Sequence, residues 1–185
     1  MSDSASAQTQ KEELPLPTSS EDLLAKFEQL GISVDLHEHQ AVFTVSESEK
    51  LKQDIPGLHC RNLFLRDKKK KMYLVVAANE TAIDLKKLQP LIGSDRLSFG
   101  SADRLWENLG VRPGSVCPFA IINDTDNNVQ IVLDDKMMHA DIVCYHPMEN
   151  HLTVGLKPED LLKFIKNCAH EALILDMKDA APDQE

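Results

Sequence analysis

Two apolar runs, Asn62 to Leu65 and Met72 to Ala77, flank a tip that carries four consecutive lysines, Lys68 to Lys71. Apolar runs on either side of a short polar turn form a β-hairpin, so the chain is committed to a sheet with apolar surface to bury. Around the hairpin the pattern alternates between helix and strand. Leu23, Leu24, Phe27 and Leu30 recur at helical spacing after a cap at Ser19 or Ser20, and Gly31 stops that helix. The segment Ile32 to His37 then alternates apolar and polar residues, the period of a half-buried strand. Thr44 or Ser46 opens a short helix of mixed charge that ends near Pro56-Gly57. Beyond the hairpin the pattern predicts a helix around Asp84 to Leu91, a short strand at Leu97 to Phe99, and a helix from Ala102 to Leu109 between Ser101 and Gly110.

The last third reads as strands. Pro118 to Asn123 and Val129 to Asp134 are joined by the polar turn Asp124 to Asn128, and further strands fit Asp141 to Tyr145 and Leu152 to Gly155. Pro158 sits in the first turn of a helix continuing through Leu161 to Cys168, with Glu159 and Asp160 near its positive end. The expected fold class is α+β: a single domain in which a mixed, curved β-sheet is covered by helices. A length of 185 residues suits one domain. Residues 1–18 are poor in large apolar groups and are expected to be a flexible tail, as are residues 177–185, leaving 19–176 as the domain.

Composition narrows the function classes. No stretch approaches the roughly 20 apolar residues of a membrane span, and the start shows neither a secretory signal nor a mitochondrial presequence, so cytoplasm is the expected location. Cys60, Cys117, Cys144 and Cys168 lie far apart, which predicts free thiols and no structural zinc. The net charge of −10 argues against extended nucleic-acid binding but leaves room for contact with one end of a nucleic acid. A local basic rim exists in Arg61, Arg66 and Lys68, Lys69, Lys70 and Lys71; a solvated tip serving solubility is the plainer reading of the same residues.

The segment Gly110 to Pro118 joins helix to strand with two glycines and two prolines in nine residues. Proline fixes the backbone and glycine lets a ligand approach it. Such a turn can offer the amides of Ser115, Val116 and Cys117 to a polarised carbonyl, as an oxyanion site does. Cys117 could be a nucleophile; a small apolar side chain at a strand entrance is the plainer role. His37 and His39 would share a strand face, yet no third ligand follows at metal spacing, and no metal site is expected. His146 ends a strand before the loop Pro147 to Asn150, where it could line a cleft or be a structural histidine.

Several segments read together are similar to one family. They are Ala41-Val42-Phe43-Thr44-Val45, Asn62-Leu63-Phe64-Leu65-Arg66-Asp67-Lys68-Lys69-Lys70, Arg96-Leu97-Ser98-Phe99-Gly100, and Gly114-Ser115-Val116-Cys117-Pro118 as a Gly-x-x-x-Pro loop. His146-Pro147-Met148-Glu149-Asn150, Thr153-Val154-Gly155-Leu156 and Pro158-Glu159-Asp160-Leu161-Leu162 complete the series. They resemble the tRNA-editing domains related to YbaK and to the editing insertion of bacterial prolyl-tRNA synthetases, in particular the freestanding prolyl-tRNA synthetase associated branch.

The resemblance implies a trans-acting aminoacyl-tRNA deacylase that hydrolyses mischarged proline tRNA, with alanine as the expected amino acid. It implies that the loop Gly114, Ser115, Val116, Cys117 and Pro118 fixes the aminoacyl group through its backbone, while the substrate's own ribose hydroxyl orients the attacking water. His146 would act beside it. Phe43, Thr44, Val45, Arg61, Asn62 and Asn150 would bind substrate, and Arg66 with Lys68 to Lys71 would form a tRNA rim. The family's usual lysine before the asparagine is here Arg61, which keeps the charge but is planar and cannot act as a neutral amine. No cofactor is implied. The expected partners are the acceptor end of proline tRNA and prolyl-tRNA synthetase, with no DNA and no membrane. Two alternatives stay open: a deacylase for cysteine or another small residue on the same tRNA, and a non-catalytic module that binds tRNA or a synthetase.

Overall fold

The computed structural model describes residues 14–183, with the Val45 side chain outside the described part. Helix starts follow the caps that the sequence supplies. Ser19 accepts from the Asp22 amide at the start of α1 (Ser20–Gln29), Thr44 from that of Glu47 at α2 (Val45–Asp54), Asp84 from that of Lys86 at α3 (Leu85–Ile92), and Ser101 from that of Arg104 at α4 (Ala102–Leu109). Gly93 and Gly110 close α3 and α4 in the left-handed region.

Eight strands form one mixed sheet: β1 (Asp35–Glu38), β2 (Leu58–Asp67), β3 (Met72–Ala78), β4 (Leu97–Phe99), β5 (Val129–Asp134), β6 (Val143–Tyr145), β7 (Leu152–Leu156) and β8 (Leu173–Leu175). Their order is β1-β7-β6-β2-β3-β5-β8, with β4 also paired to β2. The hairpin β2–β3 is central, Asn62 standing opposite Val76 and Leu65 opposite Tyr73. The pairings β2–β6, β3–β5 and β5–β8 are parallel.

Both faces of β3 and β5 are covered, which is why their apolar runs hardly alternate. Leu74, Val76, Ile131 and Leu133 face a large core with Phe27 of α1 and Phe164 of α6 (Pro158–Asn167). Phe119 meets Phe27, Phe164 and Tyr145 edge-on with ring centroids 5.0–5.6 Å apart. Tyr73, Val75 and Val132 face a smaller core with Leu88 of α3 and Met177.

The structure changes four expectations. Pro118–Asn123 is a 3-10 helix rather than a strand: Pro118 opens it and Phe119, Ala120 and Ile121 are all buried, a pattern that a short apolar run shares with a strand. The first strand begins later than the alternation suggested: pairing starts at Asp35 opposite Gly155, and the buried Ile32 and part-buried Val34 pack on the core ahead of it. Residues 14–18, expected in the tail, are fastened to the domain: Leu16 packs on the core and Thr18 donates to Asn123 Oδ1 at 2.7 Å. Residues 177–183 likewise begin with a 3-10 helix, Met177–Ala180, anchored by two buried apolar side chains and by the Asp84 amide donating to the Ala180 carbonyl at 2.7 Å. Residues 1–13 and 184–185 lie outside the described residues. A short helix, α5 (Asp135–Met138), and strand β8 are additions that the sequence pattern did not predict.

Candidate active site

Where β2 leaves β6 to pair with β3, the sheet opens a cleft of about 260 Å³. The start of β2 supplies His59, Cys60, Arg61 and Asn62. The end of β6 and the residue after it supply Cys144, Tyr145 and His146, β7 supplies Thr153, and α2 supplies Ser48 and Leu51. Asn79 and the loop residues Gly114 and Val116 complete the wall. Among the described residues no carboxylate lines it, so Arg61 gives a positive interior in a chain of net charge −10.

Gly114 adopts φ +88°, a conformation that a side chain strains, and a Cβ there would find only Asn150 Nδ2, at 4.0 Å. Glycine is thus required here for its backbone rather than to avoid a clash. The Ser115 amide is used inside the turn, donating to the Arg112 carbonyl at 3.0 Å. The amides of Gly114 and Val116 donate to no described group, and they belong to the loop residues that line the cleft. Of the amides expected from Ser115, Val116 and Cys117, only that of Val116 belongs to a cleft-lining residue and donates to no described group, and the amide of Gly114 shares both properties. Cys117 and Pro118 are buried outside the cleft. The Cys117 thiol is pushed up to about 11 by burial and meets Met148 Sδ at 3.8 Å, the environment of an inert core thiol.

His146 is held by the chain that follows it. Met148, at φ +70° and buried, anchors the loop in the core, and its amide donates to the His146 carbonyl at 3.1 Å. His146 Nδ1 lies 2.7 Å from the Leu152 carbonyl, an acceptor only, so Nδ1 carries the proton and Nε2 is the acceptor. Burial lowers its pKa, and the neighbouring His39 and His59 lower it further, against the opposing effect of the Leu152 carbonyl. Thr153 lies beside it and donates to His39 Nε2 at 2.8 Å, the other His39 nitrogen donating to the Gln40 carbonyl.

Two buried atoms in the cleft residues, Arg61 Nε and Asn62 Oδ1, find no hydrogen-bond partner among the described residues. The remaining expected residues are not part of the cleft wall. Phe43 is 82% exposed, and Thr44 is occupied as the α2 cap, exchanging hydrogen bonds with Glu47. Asn150 sits outside the wall, its Nδ2 donating to the Val42 carbonyl at 3.4 Å. Arg66 and Lys68 to Lys71 occupy the far end of the hairpin, where Lys69 pairs with Asp95 at 3.1 Å. His59, Asn79, Tyr145 and Thr153 were not anticipated. The parallel pairing that sets His59 beside Cys144 joins segments more than eighty residues apart, and no local pattern records it.

All four cysteines are free. No helix among the described residues is long and apolar enough to cross a membrane.

Comparison with known proteins gives a consistent picture. A family model described as an aminoacyl-tRNA editing domain matches residues 39–164. The chain is 43% identical over 145 residues to the prolyl-tRNA editing protein ProX of Acetoanaerobium sticklandii, covering 78% of this chain and 88% of that protein. It is 41% identical over 152 residues to prolyl-tRNA synthetase associated domain-containing protein 1 of Bos taurus, covering 80% and 88% respectively. A solved structure of a candidate trans-editing enzyme for prolyl tRNA synthetase shares the fold, with a TM-score of 0.66 at 20% identity over 88% of this chain and 98% of that one.

Proposed function

Since the chain belongs to the aminoacyl-tRNA editing domain family, we propose that it is a trans-acting deacylase of mischarged proline tRNA and that the amino acid it removes is alanine. The observation that carries the reading is the cleft itself, where Arg61, Asn62, Gly114, Val116 and His146 surround one small space. At about 260 Å³ it falls below the roughly 300 Å³ at which drug-sized pockets begin, room for a small aminoacyl group and the ribose edge that carries it. The reaction takes place in the cytoplasm.

A water oxygen attacks the ester carbonyl carbon, the bond to the ribose oxygen breaks, and free amino acid and an uncharged tRNA end are released. The Gly114 and Val116 amides, which have no partner among the described residues, stabilise the charge that develops on the carbonyl oxygen. Asn62 Oδ1, an unpaired acceptor, suits the donor-only ammonium of the aminoacyl group. His146 Nε2, an acceptor, steadies the water or the ribose hydroxyl. Cys117 has no part.

A panel of mischarged tRNAs tests the reading. Alanine is released from proline tRNA on the order of 100-fold faster than proline, the discrimination that a size-selective second site provides. Faster release of cysteine would transfer the activity to that residue, and background rates on every substrate would reduce the protein to a binding module.

The lowered pKa of His146 sets the acid limb of the profile. Its folded value lies below the ordinary value of about 6.5, so the neutral form persists as pH falls through 6.5 and is lost only at lower pH. The acid limb of kcat/KM is therefore centred below about pH 6.5. A decline centred above 6.5 would exclude neutral His146 as the working form.

The hairpin tip meets acceptor-stem phosphates in this reading. Replacing Lys68 to Lys71 together by glutamine raises KM and makes the slope of log KM against log salt shallower by up to about 0.9 for each phosphate that is no longer neutralised. An unchanged slope would leave the tip as a solubility device.

A further inference from the structure

We propose that Thr81 and Asp134 are positioning residues for Arg61, an inference that rests on the cleft being the deacylase site. Asp134 closes β5 almost fully buried, at 2% exposure. Its Oδ1 accepts from the Lys136 amide at 3.1 Å and caps α5. Its Oδ2 accepts from the Ala78 amide at 3.2 Å, tying it to the end of β3, and from the Thr81 hydroxyl at 2.6 Å. The Thr81 amide in turn donates to the Ala78 carbonyl at 2.9 Å, closing the turn after β3. The turn is therefore pinned from both sides, and its Thr81 carbonyl accepts from Arg61 Nη2 at 2.6 Å.

That bond orients the guanidinium as a whole. Arginine has five donors in a rigid plane, so fixing one Nη fixes the direction of the others. Arg61 Nε is buried without a partner among the described residues, in a residue that lines the cleft. An arginine held in advance gives its remaining donors to the substrate without the loss of freedom that a mobile side chain suffers on binding. A lysine here would carry its three donors on one freely rotating ammonium nitrogen at the end of a flexible stem, so a bond to the Thr81 carbonyl would not fix the direction of the others as it does in a planar guanidinium. The chain Asp134–Thr81–Arg61 thus matches the cleft to arginine, the residue in which this sequence departs from the lysine pattern.

Two measurements test this on the full chain. Thr81→Val keeps the shape of the side chain and removes the hydroxyl, whereas Thr81→Ser keeps the hydroxyl. With alanyl-tRNA of proline specificity, Thr81→Val raises KM about tenfold while kcat stays within about twofold, one decade being an ordinary coupling within a hydrogen-bond network. Thr81→Ser restores the wild-type KM, and in an Arg61→Ala background Thr81→Val leaves KM unchanged. An equal rise in KM in that background, or no rescue by serine, overturns the proposal. The second measurement needs no activity: the Arg61 Nε–H order parameter from NMR is near the rigid value of about 0.85 in the wild type and below about 0.6 in Thr81→Val. Equal order in both overturns the positioning role, even if the protein proves inert as a deacylase, whereas ordered Arg61 in an inert protein would count against the deacylase reading alone.

Discussion

Replacing Gly114 by valine lowers kcat/KM for alanyl-tRNA of proline specificity by about 100- to 1000-fold, the loss that follows when a donor to a developing oxyanion is displaced. The backbone at this position holds φ +88°, where a β-branched residue is strained by roughly 1–3 kcal/mol. The loop is exposed at Gly114 and relieves that strain by rotating its backbone. Rotation turns the Gly114 and Val116 amides away from the substrate carbonyl. Crowding does not explain the loss, because the nearest heavy atom to a Cβ at this position is 4.0 Å away. Single-turnover deacylation, with the melting temperature followed in parallel, separates the two effects: the rate collapses while the fold persists. A valine variant with near wild-type rate would show that the loop backbone has no part in the chemistry.

The second large effect is on stability. Asp124→Ala lowers the melting temperature by roughly 6–20 °C, combining the roughly 3–5 kcal/mol that follow when one partner of a buried carboxylate–histidine pair is removed with a scale of about 2–4 °C per kcal/mol for a chain of this size. Asp124 Oδ2 meets His170 Nε2 at 3.0 Å, with both side chains at most 2% exposed. The same carboxylate accepts from the amides of Asn128 at 2.9 Å and Val129 at 2.8 Å, where the turn after the first 3-10 helix enters β5. His170 Nδ1 faces the Cys168 carbonyl at 2.8 Å, so losing Asp124 frees two backbone donors and one ring nitrogen together. Asp124→Asn keeps acceptor capacity and costs less. Thermal unfolding measures both, and a change of only about 2 °C for alanine, under 1 kcal/mol on the same scale, would mean that water replaces the carboxylate at little cost.

The fold was legible in the sequence wherever a local rule decides it. Ser19, Thr44, Asp84 and Ser101 mark helix starts because their side chains satisfy amides that the helix leaves open, and Gly110 marks an end because it accepts a left-handed backbone. The hairpin was equally plain. Pro118–Asn123 was not, since a short run buried all round has no period to read. Residues 14–18 and 177–183 looked like tails because their anchors are few: Leu16, Thr18, Met177 and Ala180 hold them by packing and hydrogen bonds to distant parts of the chain.

The site was legible in part. Arg61, Asn62, Gly114, Val116 and His146 line one cleft, and each carries a backbone or side-chain property visible in isolation. Phe43 and Thr44 do not line it, because a sequence neighbour of the cleft helix can also be its cap or face solvent. Thr153 comes beside His146 where β7 runs along β6, and Thr81 and Asp134 come to Arg61 through hydrogen bonds between distant segments. No sequence spacing encodes such neighbours.

That this cleft is the editing site is open to a titration of the labelled protein, followed by NMR, with a non-hydrolysable amide analogue of 3′-alanyl-adenosine. Saturable shifts are expected at the backbone amides of Asn62, Gly114, Val116 and His146 and at the Arg61 guanidinium. Saturable shifts elsewhere on the molecule, with these five unmoved in a protein that still releases alanine, would contradict the assignment of the site to this cleft.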